Sequence, residues 1–223
     1  MSPTSTVENY LKAILQAQLT LAPGELVPMG RLAAALGVSP STSTTMVKAL
    51  SDSGLVGYEP YSGVRLTVPG YRLAARVLRR HRLIEVFLVQ VCGMSWAEVH
   101  DEAEQLEHAV SDALIERMDV MLGRPTVDPH GDPIPGPEGG VQRPEYLDLL
   151  SCPLGTPVRV TRVTDQDPHF LRFLEESALK PGEAIQVERR DKAADAVVVQ
   201  KDGRRITMGM RAASKLLVEG ASL

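Results

Sequence analysis

Met29-Gly30-Arg31-Leu32-Ala33-Ala34-Ala35-Leu36-Gly37-Val38-Ser39-Pro40-Ser41-Thr42-Ser43-Thr44-Thr45-Met46-Val47-Lys48-Ala49-Leu50 carries the most specific structural signal in the chain. Leu32, Ala33 and Leu36 fall on one face of a short helix over residues 29–36. Gly37 sits where a helix C-terminal glycine belongs, Ser39 where an N-cap belongs, and Pro40 suits the first helical position. A second helix then runs to about residue 53 and ends at Gly54. The small Ala33 lets the two helices approach closely, and Val38, Val47 and Leu50 fill the space between them. This is the pattern of a helix-turn-helix.

Upstream, residues 7–19 carry apolar positions at Tyr10, Leu11, Ile14 and Leu15, spaced for a preceding helix. Downstream, Leu55-Val56-Gly57-Tyr58 and Val64-Arg65-Leu66-Thr67-Val68 read as two short strands joined by Pro60-Tyr61-Ser62-Gly63, and Pro69-Gly70 ends the hairpin. A helix-turn-helix followed by a two-stranded wing predicts a DNA-binding head. Ser39, Ser41, Thr42, Ser43 and Thr45 offer hydroxyls to phosphates and base edges. Lys48 and Arg65 would meet phosphates from the recognition helix and the wing.

Two long helical patterns follow, over residues 71–91 and 95–122. Residues 123–144 are broken by repeated Pro and Gly and read as a linker with an ordered turn. A short helix is expected over 144–150. The remainder alternates in the strand manner at Val158, Val160 and Val163, at Ile185 and Val187, at 197–199 and at Ile206 and Met208. A helix over about 168–177 interrupts it. This predicts a small β-barrel.

The chain has 223 residues and a formal net charge of −4, which by itself disfavours a nucleic-acid binder. The charge is not evenly spread. Residues 1–82 carry +5, residues 83–150 carry −11 and residues 151–223 carry +2. A basic head and a strongly acidic middle point to different partners. No apolar run has the length of a membrane span. The first residues lack a basic then apolar export pattern, and two cysteines make no disulfide framework. A cytoplasmic protein without membrane contact is expected.

Residues 81–108 hold three of the five histidines. His81 and Glu85 are four apart on one helix; His100, Glu104 and His108 are four apart in turn on the next, with Glu107 beside them. At about 1.5 Å per residue, His100 and His108 stand about 12 Å apart along a helix, too far to share an ion. Two metal sites are therefore expected, one near Glu104, Glu107 and His108, the other near His81, Glu85 and His100. A metal-dependent hydrolase is the rival reading, but His-Glu-x-x-His does not occur, and Glu104 stands where an inverted motif needs its first histidine. A regulator answering to a small molecule, with an inert acidic helix, is the rival within regulation. No enzyme is expected.

Together these residues resemble the iron- and manganese-dependent repressors of the diphtheria-toxin-repressor type. The matching pieces are Glu8-Asn9-Tyr10-Leu11, Gly37-Val38-Ser39, Arg80-His81-Arg82-Leu83-Ile84-Glu85, Val99-His100-Asp101-Glu102-Ala103-Glu104, Glu107-His108 and His130-Gly131-Asp132-Pro133-Ile134-Pro135-Gly136. The resemblance implies a mainly α chain of three parts. These are a winged helix-turn-helix over 1–72, a helical metal-binding and dimerisation domain with its linker over 73–144, and an SH3-like, FeoA-like barrel over 145–223. It implies a homodimer that binds palindromic double-stranded operators when loaded with divalent metal and represses metal-homeostasis genes. The implied primary site is Asn9, Glu104, Glu107 and His108. The implied ancillary site is His81, Glu85 and His100, with help from Gln166, His169, Asp165 or Asp167 of the barrel. Iron-type members carry methionine at Asn9 and cysteine at Glu104. Oxygen in place of sulfur suits Mn²⁺ as the effector, with Fe²⁺ the alternative. Small two-domain manganese members have acidic residues where this chain has Asn9 and Lys12, so their ion arrangement does not transfer in detail.

Overall fold

A computed structural model describes residues 3–142 and 144–220. The chain divides into two compact units that interleave along the sequence: residues 1–81, 105–115 and 134–143 form one, and residues 82–104, 116–133 and 144–223 the other.

The first unit begins with α1 (Ser5–Leu19), capped by the Thr4 hydroxyl. α2 (Met29–Ala35) and α3 (Pro40–Asp52) form the helix-turn-helix. Gly37 in the turn has φ +63°, a conformation that costs a side chain with a Cβ. β1 (Val56–Glu59) and β2 (Gly63–Leu66) pair antiparallel as the wing, with Tyr58 opposite Val64. Val27 adds a bridge to Val64. Leu11, Ile14, Leu15, Leu32, Val47, Leu50 and Val64 form the core with Ala74, Ala75 and Leu78 of the next helix. That helix, α4 (Val68–Gln90), starts three residues earlier than its apolar pattern suggests. Pro69 is tolerated in the first turn, and the Thr67 hydroxyl accepts from the Gly70 amide at 3.3 Å.

Ser39 holds the start of α3: its Oγ accepts from the Thr42 amide at 3.1 Å. Replacing Ser39 with alanine is expected to cost about 1 kcal/mol, which lowers Tm by ~2–4 °C in a chain of this size. A thermal melt followed by circular dichroism checks this; an unchanged Tm would mean that the cap contributes nothing.

The expected long helix over 95–122 is two helices, α5 (Val99–Leu106) and α6 (Asp112–Met121). Between them the Val110 amide still bonds Leu106 O, and Ser111 Oγ then accepts from the Leu114 amide at 3.3 Å, opening a new helix. Serine at that point competes with the helical ladder and starts a fresh one.

In the second unit, the expected helix over 144–150 is instead the short strand β3 (Leu147–Asp148) and a turn in which Asp148 Oδ1 accepts from the Leu150 and Ser151 amides. β4 (Pro157–Val163), α7 (Pro168–Glu176), β5 (Ala184–Asp191), β6 (Ala196–Lys201), β7 (Arg204–Met208), α8 (Met210–Ala213) and β8 (Leu216–Gly220) follow. The strands form one antiparallel sheet in the order β3-β8-β4-β5-β6-β7, with irregular register after Val160 and Val187. Val158, Val160, Val163, Val187, Val197, Val199 and Leu216 build its core, joined by Trp96 and Ala97 from the segment before α5. Among the described residues, no helix is long and apolar enough to cross a membrane.

Candidate metal and DNA-binding sites

α3 presents Ser41, Thr42, Thr45 and Lys48 to solvent, with Ser39 at its start. Thr45 Oγ1 donates back to Ser41 O at 3.0 Å, which leaves its oxygen lone pairs facing outward. Ser43 does not belong with them: it is fully buried, on the core side of the helix. It lies four residues before Val47, and that spacing puts the two on one face. Arg65 is 55% exposed on the wing, 3.4 Å from Glu59. Such an exposed pair holds the arginine only weakly.

In the first unit, His108 is the hub of a polar chamber. Its Nδ1 lies 2.6 Å from Glu8 Oε2 and its Nε2 2.7 Å from Asn9 Oδ1. Glu107 Oε1 is 3.2 Å from the same Nε2. Three of the four residues expected in the primary site thus converge, although α1 and the segment after α5 are about a hundred residues apart in sequence. Donor atoms ~3 Å apart suit ligands about 2.2 Å from one ion. Glu8, beside the other ring nitrogen, stands where a carboxylate orients a ligating imidazole. Arg80 lies 3.9 Å from Glu8 and binds Asp112 at 2.7 Å, and that hydrogen bond holds the Asp112 carboxyl below its ordinary pKa. Glu107 is fully buried and also bonded by Lys12 Nζ, at 2.6 and 2.8 Å, and by His81 Nδ1 at 2.7 Å. His81, expected in the ancillary site, therefore touches Glu107 in this unit.

The remaining expected ligands lie in the second unit. His100 Nδ1 is 3.4 Å from Glu85 Oε1, and His100 Nε2 is 3.7 Å from Glu104 Oε1. Asp165 is ion-paired to Lys215, whose hydrogen bond lowers the carboxyl pKa. Asp167 caps α7, accepting from the His169 and Phe170 amides at 3.0 Å each. The His169 side chain is exposed and Gln166 half-buried. Asp165 and Asp167 thus hold local structure.

The segment read from sequence as a linker contains a cluster that spacing on the helices did not reveal. Glu85, Asp128 and His130 are all buried and each offers a donor atom within 4.8 Å of the others. Asp128 Oδ1 accepts from the amides of His130 and Asp132 at 2.8 and 2.9 Å, closing a tight turn. Val163 of β4 donates its amide to His130 O at 2.8 Å. Arg162 reaches Asp132 at 2.5 Å, and Arg82 lies 3.4 Å from Asp128. Burial, then the Asp132 and Glu85 carboxylates, push the Asp128 pKa well above the ordinary carboxylate range against the pull of Arg82. The arrangement asks for a cation. His130 decides its fit: Nε2 donates to Trp96 O at 2.9 Å, while the buried Nδ1 has no hydrogen-bond partner. A backbone carbonyl on one ring nitrogen leaves the other as a lone-pair donor, the usual state of a metal-bound imidazole. Asp128-Pro129-His130-Gly131-Asp132, three potential ligands in five residues, is the signal by which the sequence could have marked it.

Neither cluster contains sulfur. Cys92 is exposed, and Cys152 is buried with Arg190 Nη2 donating to its Sγ at 3.3 Å.

Three family sequence models match the chain in succession. The N-terminal DNA-binding domain of iron-dependent repressors covers residues 3–64, their metal-binding and dimerisation domain covers 67–136, and the FeoA domain covers 147–220. The iron-dependent repressor IdeR of Mycobacterium tuberculosis is 31% identical over 206 residues, 87% of this chain and 88% of that protein. The solved structure of a manganese-dependent transcriptional repressor in complex with manganese is 40% identical, covers 96% of this chain and 99% of its own, and superposes with a TM-score of 0.86. That of the manganese regulator SloR is 33% identical, covers 99% and 100%, and has a TM-score of 0.74.

Proposed function

The chain belongs to the iron-dependent repressor family, whose members are metal-dependent transcriptional repressors and not enzymes, and from this premise we propose that it answers to Mn²⁺. The observation that carries the choice is the donor set. Asn9, Glu107 and His108 in one cluster and Glu85, Asp128 and His130 in the other offer only oxygen and imidazole nitrogen. Carboxylate and amide oxygens suit Mn²⁺, whereas thiolate and thioether select softer ions. The 40% identity to a repressor solved with manganese supports the same reading. His100 and Glu104 extend the second donor set.

A bound divalent ion would supply positive charge and coordination to these donor atoms. The chain's residues do the rest. Glu85, Asp128 and His130 would hold the ion, offsetting the repulsion between the two carboxylates and tying the turn around His130 to α4. In the first unit, Asn9 and Glu8 carry α1, whose Leu11, Ile14 and Leu15 lie in the same core as Val47 and Leu50 of α3. Fixing Asn9 against His108 therefore fixes the recognition helix through packed side chains. The ion favours DNA binding only by the difference in its affinity for the two states. The partners are a second copy of this chain and a palindromic duplex, read by Ser39, Ser41, Thr42, Thr45 and Lys48 with Arg65 on a phosphate. The expected compartment is the cytoplasm.

The test is DNA binding by the full chain to a duplex selected from a random library in the presence of Mn²⁺. Fluorescence anisotropy is expected to show at least about tenfold tighter binding with Mn²⁺ than with chelator, a coupling of ~1.4 kcal/mol. Half-saturation is expected at lower Mn²⁺ than anaerobic Fe²⁺. The reverse order would make it an iron repressor, and binding indifferent to chelator would end the metal-gated reading.

A further inference from the structure

Lys12 is 3% exposed, and both of its contacts with Glu107 are short, 2.6 and 2.8 Å. Lysine normally runs its stem along the surface and keeps its ammonium in water. A buried lysine needs a full partner, and here the partner is a carboxylate with no exposure of its own. The same carboxylate takes His81 Nδ1 at 2.7 Å and lies 3.2 Å from His108 Nε2. One cation spanning both oxygens of a buried carboxylate, with imidazoles on either side, is the arrangement a metal ion would make. The cation present is part of the chain.

We propose that the Lys12 ammonium is a built-in cation of this chamber: it fills a position that a divalent ion would otherwise take. This rests on the reading that the chain binds divalent metal. Lys12 offsets Glu107 charge for charge. The divalent ion in this unit is therefore confined to the Asn9–His108 side, and the side facing His81 is closed to it. Removing the ammonium leaves Glu107 buried without its charge partner and opens that side, with Glu107 and His81 as donors.

The experiment counts ions. Full-length wild type, Lys12→Gln, Lys12→Arg and the double variant Lys12→Gln/Glu107→Gln are titrated with Mn²⁺, with free ion read by electron paramagnetic resonance, and are melted with and without Mn²⁺. Lys12→Gln is expected to bind one more Mn²⁺ per chain than wild type. Its metal-free Tm falls by on the order of 10 °C, and Mn²⁺ restores it. Lys12→Arg keeps the wild-type count, and the double variant loses the extra ion because the carboxylate is gone. If Lys12→Gln is unfolded without metal, Mn²⁺ is expected to fold it. Equal counts in wild type and Lys12→Gln, or a Lys12→Gln protein that Mn²⁺ does not rescue, would overturn the proposal. A wild type that binds no Mn²⁺ at all would instead defeat the metal-responsive reading, so the two failures are distinct.

Discussion

Replacing His130 with alanine is expected to remove one bound Mn²⁺ per chain and to weaken metal-dependent DNA binding at least tenfold. The imidazole is the one nitrogen donor in a cluster whose other members, Glu85 and Asp128, are buried carboxylates. Loss of a residue that merely orients a ligand costs about 10–100-fold in metal affinity, so loss of the ligand itself costs no less. The side chain is also fully buried and stacks on Trp96, with ring centroids 5.4 Å apart and planes 19° from parallel. A stability loss accompanies the change and must be separated from it. Trp96→Phe provides the separation, because it keeps the backbone carbonyl that accepts from His130 Nε2 and removes only the indole. It is expected to lower Tm while binding the full number of ions. Full Mn²⁺ affinity in His130→Ala, with only its Tm reduced, would show that the histidine is structural.

Replacing Gly131 with alanine is expected to be comparably damaging without touching a ligand. Gly131 has φ +86°, and a Cβ there would lie 1.9 Å from Thr161 O and 2.8 Å from the Arg162 Cα. Both obstacles are backbone of β4, so no flexible side-chain end can move aside. Adding a methyl against packed backbone costs about 1–3 kcal/mol, and the left-handed conformation adds roughly 1–2 kcal/mol. About 3 kcal/mol corresponds to a Tm drop of ~6–12 °C at this chain length. The turn can escape only by lifting away from β4, which breaks the Val163 amide bond to His130 O. Mn²⁺ affinity should fall together with Tm. A variant that melts within a degree of wild type and keeps its affinity would show that β4 does not hold the turn.

Both expectations concern residues that the sequence placed in a linker. The density of Pro and Gly over 123–144 marks the absence of regular structure correctly, since the only pairing there is an isolated bridge from Val127 to Pro133 among the described residues. It does not follow that the segment is solvated. Asp128, His130 and Asp132 are 4%, 0% and 7% exposed. Turn-forming residues report local backbone geometry, and burial depends on what packs above them. Here that is β4, about thirty residues further on.

The expected ancillary residues show a related limit of reading by spacing. Spacing of four residues puts His81 and Glu85 on one face of α4, but the partner of each is chosen by another part of the chain. His81 meets Glu107, and Glu85 meets His100, Asp128 and His130. Ser43 shows the same limit on a smaller scale. Its hydroxyl belongs to a run of Ser and Thr that reads as one polar face, yet helical rotation turns it into the core.

Local features were legible in the amino-acid sequence. Gly37, Ser39 and Pro40 fixed the turn between α2 and α3, the alternation of apolar residues fixed the wing and most of the C-terminal sheet, and the clustered His and Glu residues marked a cation-binding middle. These signals act over a few residues, through backbone conformation, caps and side-chain period. Which donor atoms come together depends on the fold. Asn9 and His108 are 99 residues apart, Lys12 and Glu107 are 95 apart, and Glu85 and His130 meet across a segment with no regular period. Buried charges must find partners wherever the fold places them, because leaving one unpaired costs more than a local preference can supply.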